Sequence, residues 1–403
     1  MNAKEKKPRV SVVIATYNRL KFVQEAIDSV LNQTYNDYEL FVVDDGSTDE
    51  TKMVIPEKYK GKLTYIWQKN RGESAARNLG ISMASGEYLA FLDSDDLWHP
   101  EKLAVLVQEF DQRRQEENDI ALICSSVWLI DSEGQLIQSK PAGRSTKLEN
   151  LEFEDFFYRP RIYSPPSNAI FVKKFVEDVG GFDEDIRYGE DWALLLKLRN
   201  KYKFGYFDKP LTYFRIHNIN QQSNSKLEEI DQYLTDHLKV VERLSYLLDN
   251  PVEANKIRAH FFEQTTYWYF SCNSWEAGLR NLQKAVSLAS DSILDESRVI
   301  QNISIAGLEN AKFNMIDSVS NIINHFTTEY FPMISSLWPT ELLFKKGVMR
   351  KSTATFCHIL MCDRTIKKSR KELLKLSFCT LKYVRYWRSL TTWKTITFTL
   401  LNI

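Results

Sequence analysis

Apolar positions in the first half of the chain alternate between two periods. VSVVIAT (10–16) is a short β-branched run, the pattern of a strand buried on both faces. Over residues 20–33, Phe22, Val23, Ala26, Ile27, Val30 and Leu31 recur at helical spacing. YELFVVDD (38–45), LTYIWQ (63–68), YLAFLDSDD (88–96) and IALICSSVWLI (120–130) read as further strands. A helix is expected over 73–84, and another starts at Pro100, whose fixed φ suits a first helical turn, with Leu103, Leu106, Val107 and Phe110 on one face. This alternation predicts an α/β fold with a mostly parallel, twisted sheet flanked by helices. In such a sheet ligands sit beyond the carboxyl ends of the strands. Polar clusters follow three strand ends: Thr16-Tyr17-Asn18, Asp44-Asp45-Gly46-Ser47 and Asp93-Ser94-Asp95-Asp96.

The pattern changes near residue 225. Segments 226–248, 252–270, 275–289 and 296–325 read as helices, so an all-helical C-terminal region is expected. WEAGLRNLQKAVSLA (275–289) looks like one tetratricopeptide-type helix, without a 34-residue repeat around it. Segment 364–390 is amphipathic, with Leu373, Leu376, Val384 and Trp387 opposite Lys371, Lys375, Lys382 and Arg385. The expected divisions are a tail at 1–8, a catalytic segment at 9–222, a helical segment at 223–335 and a basic amphipathic segment at 336–403.

Charge sharpens the last of these. The whole chain of 403 residues is formally neutral, with 53 basic and 53 acidic side chains. Residues 340–403 hold 14 Lys and Arg against 3 Asp and Glu, a net of +11, which leaves −11 on the rest. A cationic end on a neutral chain implies an anionic partner. An anionic membrane surface meeting 364–398 and the acidic body of the chain itself are the partners considered; nucleic acid is not expected. Five scattered Cys residues without CxxC spacing fit reduced thiols rather than a disulfide frame or a zinc site. No apolar run approaches the roughly 18 residues that span a bilayer, and MNAKEKKPRV lacks the apolar stretch of a leader. A cytoplasmic protein, peripheral on the inner face of the membrane, is therefore expected.

Each acidic cluster has a plain reading and a chemical one. Asp-rich strand-to-helix turns serve often as caps and Asx turns. Asp93 and Asp95, two apart on one strand, would also project together and call for a hard cation such as Mg²⁺ or Mn²⁺ that keeps sites free for phosphate oxygens. Asp44 and Asp45 can accept the imide N–H of a base or ribose hydroxyls. Arg77, behind Asn70-Arg71-Gly72, suits a helix-surface ion pair or a bidentate phosphate contact. Glu190-Asp191-Trp192 opens an apolar helix, where acids are favoured as caps and where a carboxylate can also act as a base. His217 in YFRIHN is a lone His, structural unless it reaches the Asp95 rim.

Taken in order, VSVVIATYN (10–18), FVVDDGSTD (41–49), NRGESAARNLGISMASGEYLAFLDSDD (70–96), GGFDE (180–184), GEDWALLLKL (189–198) and YFRIH (213–217) resemble family-2 glycosyltransferases of the GT-A fold across residues 9–222. The resemblance implies inverting transfer of a sugar from a nucleotide-diphosphate sugar to an acceptor hydroxyl of a glycan, lipid-linked or protein acceptor, in cell-surface polysaccharide, lipopolysaccharide or glycoconjugate synthesis. It implies nucleotide-sugar binding by Ala15, Thr16, Tyr17, Asn18, Asp44, Asp45, Arg77, Asp93 and Ser94. Ala15 stands where the family often has Pro. A Mn²⁺ or Mg²⁺ ion would rest on Asp95 and His217, Asp191 would be the base with Glu190 beside it, and Trp192 would lie on the acceptor side. Segment 136–166 is expected to cover the acceptor. The rival expectation is a nucleotide-sugar-binding protein without catalysis, acting as a scaffold or sensor. A P-loop kinase is disfavoured because no GxxxxGK[ST] occurs.

Overall fold

The computed structural model describes residues 7–138, 141, 153–158, 166–216, 227–248, 250–271 and 274–288. The predicted helix at 296–325, the basic segment 336–403, His217 and most of 139–165 lie outside the described residues. The chain divides into two compact units, Met1–Asp249 and Asn250–Ile403.

The first unit is built on an eight-stranded sheet ordered β3-β2-β1-β4-β7-β6-β8-β5. Strand β1 (Val10–Thr16) is buried along its whole length, as its unbroken β-branched run requires of a central strand. It pairs in parallel with β2 (Tyr38–Asp44) on one side and β4 (Tyr88–Asp93) on the other, and β3 (Thr64–Trp67) extends β2. The register sets Thr16 opposite Asp44 and Ala15 opposite Asp93. The other half is mixed: β7 (Ala169–Val172) runs antiparallel to β4 and β6 (Ile120–Ile130), β8 (Lys203–Arg215) runs parallel to β6, and β5 (Leu97–Trp98) runs antiparallel to β8.

Helices cover the sheet where the apolar spacing predicts. In α1 (Leu20–Leu31) the buried residues are Phe22, Val23, Ala26, Ile27 and Val30. Helices α2 (Thr51–Lys58), α3 (Glu73–Met83) and α4 (Lys102–Arg113) follow β2, β3 and β5. Pro100 lies in the turn before α4, not in its first turn, and its carbonyl accepts the Thr34 N–H at 2.9 Å. Short helices α5 (Phe153–Tyr158) and α6 (Lys173–Asp178) precede α7 (Glu190–Lys201), whose apolar face enters the core with Trp192, Leu194, Leu196 and Leu198. Helix α8 (Leu227–Leu244) belongs to this first unit.

The second unit contributes α9 (Pro251–Ser271) and α10 (Trp275–Leu288). They meet through buried polar contacts, with Asn281 Nδ2 donating to Thr265 Oγ1 at 3.0 Å and Thr266 Oγ1 to the Gly278 carbonyl at 3.3 Å. Among the described residues no helix is long and apolar enough to cross a membrane.

Gly80 marks where α3 crosses β1 most closely: a Cβ there would lie 2.4 Å from Val13 Cγ1. Val13 is β-branched and cannot swing aside. Gly80→Val is therefore expected to destabilise the fold by about 1–3 kcal/mol, read as a lower urea midpoint at unchanged slope.

Candidate active site

Four segments meet at the carboxyl rim of β1, β2 and β4. At the end of β1 Thr16 is buried, and Tyr17 beyond it is exposed. Asn18 is the single non-glycine residue with positive φ among the described residues, at +52°, a conformation Asn tolerates. It uses that turn to staple the neighbouring loop: its Oδ1 accepts the Thr48 N–H at 2.7 Å and the Asp49 N–H at 3.3 Å, and its own N–H donates to Ser47 Oγ at 2.9 Å.

The two acids after β2 part company. Asp44 is fully buried, with its oxygens taken by the Tyr65 hydroxyl at 2.5 Å and the Ser47 N–H at 2.7 Å. It braces the loop, and the expected contact with the nucleotide does not fit that burial. Asp45 reaches the β3–α3 loop. Its Oδ1 accepts from Gln68 Nε2 at 2.7 Å and the Arg71 N–H at 2.9 Å, and its Oδ2 accepts from the Gly72 N–H at 2.8 Å. An ionised carboxylate offers about four acceptor positions, so Oδ2 retains room for one more donor. Gly46 lets the loops approach, since a Cβ there would lie 2.7 Å from the Asn70 nitrogen.

Arg77 is the hub of the acids. It is only 3 % exposed. Its Nη1 donates to Glu190 Oε1 at 3.0 Å, and its Nη2 donates to Asp93 Oδ1 at 2.7 Å and to Glu73. The guanidinium lies 5.2 Å from the Phe182 ring centre, a cation–π contact. These partners commit Arg77 to the protein's own carboxylates, where a contact with the donor diphosphate or ribose was expected. Burial pushes the Glu73 carboxyl above its usual range, against the pull of Arg77. Glu190 rises from 4.5 to about 8, first through burial and then through the charge of Asp191. Asp191 is also raised, chiefly by burial, while the Trp192 N–H at 2.7 Å opposes the rise. Asp191 borders a small apolar cavity with Leu122, Cys124, Asn168, Phe171 and Leu194.

Strand β4 ends at Asp93, so Asp95 stands in a turn and not two places further along the strand. The acids therefore face different cations, Asp93 toward Arg77 and Asp95 toward Arg19 Nη1 at 2.9 Å. Ser94 is buried inside the turn. Arg215 locks it from below: its N–H donates to Asp96 Oδ1 at 3.0 Å, its Nε to the Asp95 carbonyl at 2.8 Å and its Nη2 to Glu25 at 2.6 Å. Burial, with the charges of Asp95 and Asp93, pushes the Asp96 carboxyl well above its usual range. Below the turn, Lys102 donates to Thr212 Oγ1 at 2.9 Å, and burial lowers its ammonium to about 7.

Trp192, expected on the acceptor side, is 1 % exposed. Its indole N–H donates to the Phe156 carbonyl at 2.8 Å, and its ring packs on Phe157 and His237. It stiffens the floor under Asp191 and offers nothing to solvent. Hard carboxylate oxygens at Asp95 suit Mg²⁺ or Mn²⁺ supplemented by phosphate oxygens. Among the described residues no group of three or more His, Cys, Asp and Glu side chains is spaced to hold a metal ion. Asp95 is paired with Arg19, and His217, the other expected ligand, lies outside the described residues.

Sequence reasoning overlooked Arg19, Gln68, Glu73 and Arg215. The spacing of Glu73 and Arg77, four apart in one helix, was a readable ion-pair signal. Arg19 and Arg215 adjoin or lie within quoted motifs but had no pattern to reveal their partners. The GGFDE motif acts as a pin: Asn78 Nδ2 donates to the Phe182 carbonyl at 2.9 Å and Asn78 Oδ1 accepts the Phe182 N–H at 3.0 Å.

A sequence profile described as glycosyl transferase family 2 matches residues 11–178. An uncharacterized glycosyltransferase of Rickettsia felis is 37 % identical over 209 residues, covering 52 % of this chain and 33 % of the relative. One from Methanocaldococcus jannaschii is 31 % identical over 237 residues, covering 57 % of this chain and 78 % of the relative. Chondroitin synthase of Escherichia coli is 30 % identical over 246 residues, covering 60 % of this chain and 33 % of that enzyme. The chain thus spans about a third of the first and last of these. In fold, it is similar to the crystal structure of S. aureus TarS 1–349 in complex with UDP-GlcNAc, at a TM-score of 0.54 and 19 % identity, covering 80 % of this chain and 93 % of that one.

Two outcomes test the hub. Arg77→Ala leaves buried carboxylates without their cation and is expected to cost about 3–5 kcal/mol, seen as a lower denaturation midpoint at neutral pH. Glu190 keeps its proton to about 8 when folded, against 4.5 ordinarily. The folded chain then binds more protons in that window, so this residue makes stability fall as pH rises through it. Glu190→Gln is expected to flatten that decline between pH 4.5 and 8, measured by thermal melting across pH.

Proposed function

The chain belongs to glycosyl transferase family 2, and on that premise we propose that it is an inverting glycosyltransferase that moves a sugar from a nucleotide-diphosphate sugar to an acceptor hydroxyl. The observation that carries this reading is the convergence of Asp45, Asp95 and the Glu190–Asp191 pair with Arg77 on one rim. Asp45 supplies its remaining acceptor position to the imide of a base, with Gln68 fixed beside it and Tyr17 exposed nearby. The UDP-GlcNAc held by TarS makes a nucleotide sugar the natural donor class.

Asp191 is the base. Its position in a helix first turn favours the ionised form, while burial raises its proton affinity toward the range where a base is efficient at neutral pH. The acceptor O–H gives its proton to Asp191 as its oxygen forms a bond to the anomeric carbon. The opposite bond, from that carbon to the diphosphate oxygen, breaks with its electron pair leaving on the nucleoside diphosphate. One in-line displacement inverts the configuration without a protein nucleophile. Glu190, held on Arg77, keeps a proton near neutral pH and so spares Asp191 a second adjacent negative charge. A divalent ion on Asp95 would supply charge neutralisation to the leaving diphosphate. We assign the acceptor to the surface-glycan class on the family resemblance, and the cationic 364–398 segment to an anionic membrane surface on its charge.

Asp191→Asn is expected to abolish transfer while donor binding stays within about twofold; transfer at the wild-type rate would remove the base. Donor bound but neither hydrolysed nor transferred by wild type, across a panel of nucleotide sugars and acceptors with Mn²⁺, would favour a binding protein instead. The wild-type rate is expected to fall on the acid side with an apparent pKa above the usual carboxylate range, measured under saturating donor.

A further inference from the structure

We propose that α8, beyond the stretch matched by the family profile, belongs to the machinery of this site, and that Asp236 is a positioning residue for the reaction. The inference rests on Asp191 being the base. Helix α7 starts at Glu190 directly after Gly189, which sits in the left-handed region at φ +84° and gives the helix no side-chain cap. The aim of Glu190 and Asp191 is therefore set by how the chain enters the helix, over Asp185–Gly189.

That entry is gripped by α8. Asp236 is fully buried, and its Oδ2 accepts two consecutive backbone N–H groups, of Arg187 at 3.1 Å and Tyr188 at 3.2 Å. Its Oδ1 accepts from Gln232 Nε2 at 2.9 Å and from Lys239 at 3.4 Å. One turn of α8 carries the second contact. The His237 ring, 3.8 Å from the Tyr233 ring centre and 5.2 Å from that of Trp192, lies so close to Gly189 that a Cβ there would be 3.0 Å from Nε2. Further along, Lys239 Nζ donates to the Asp185 carbonyl at 3.3 Å and Arg243 Nη1 to its carboxylate at 2.8 Å. These contacts fall on four of the five residues Asp185–Gly189 and end two residues before the proposed base.

Burying a carboxylate is costly unless its hydrogen bonds are complete. An apolar side chain would fill the same space at less cost, but it would not fix two adjacent N–H groups. The grip therefore defines the path of the backbone into α7. Geometry at a reacting group matters at the level of about 1 Å, where misplacement costs on the order of 10²-fold in rate.

The test uses the full chain and a donor found by screening. Turnover, donor KM and melting temperature are compared for wild type, Asp191→Asn, Asp236→Ala and Asp236→Asn. Asp236→Ala is expected to lower kcat by about 10- to 100-fold with donor KM held within about twofold. Asp236→Asn, which keeps an oxygen for both N–H groups, should restore kcat to within about threefold of wild type. Gly189→Ala presses on the same contact from the other side and should give the same split, which covers the case of an Asp236→Ala chain that does not fold. The proposal is overturned if Asp236→Ala keeps wild-type kcat while Asp191→Asn is dead. It is equally overturned if donor KM worsens in step with kcat, or if Asn is no better than Ala. Wild type and Asp191→Asn turning over alike would instead defeat the assignment of the base.

Discussion

One buried guanidinium answers to three carboxylates that arrive from three different elements. Glu73 comes with Arg77 on α3, Asp93 from the end of β4, and Glu190 from the start of α7. With Asp191 adjacent, four acids surround a single fixed positive charge, and burial raises Glu73, Glu190 and Asp191. Glu73, Glu190 and Asp191 therefore retain their protons to higher pH than separated carboxyls would. Arg77 thus does two things at once. It ties the halves of the sheet together at the rim, and its charge opposes the rise that burial imposes on Glu73, Glu190 and Asp191.

The hub can work only because the sheet delivers its members to one edge. β1, β2 and β4 run in parallel with Thr16, Asp44 and Ala15, Asp93 in register, so their loops leave the sheet at one level. The antiparallel β7 then carries the chain away from the rim, and α7 returns to it after the GGFDE pin has anchored the approach on Asn78 of α3. Arg215 at the end of β8 closes the ring from beneath the Asp93–Asp96 turn.

The parallel half of the sheet was legible in the sequence because its strands are buried on both faces and read as continuous apolar runs. β7 and β8 were not. β7 is four residues long, and the aromatic residues of β8 are interrupted by Asp208, Lys209 and Pro210, where its pairing with β6 also shifts register. The acids themselves were found by their positions after strands, yet their partners were not, because contacts such as Arg77 to Glu190 and Arg215 to Asp95 join residues more than a hundred apart. Composition could not show that Asp44 and Trp192 are frame and not surface; only packing separates an acid that braces from one that binds. Asp236 left no trace at all, since a lone Asp in an amphipathic helix reads as its solvated face.

Asn18 bears on how such a scaffold diversifies. Its side chain and amide bind the first rim loop to the second through Ser47, Thr48 and Asp49, so the two move as one rigid lip. New preferences for a nucleobase would then arise by exchanging the side chains mounted on that lip, such as those at positions 17 and 68, while rerouting its backbone would require both loops to be rebuilt together.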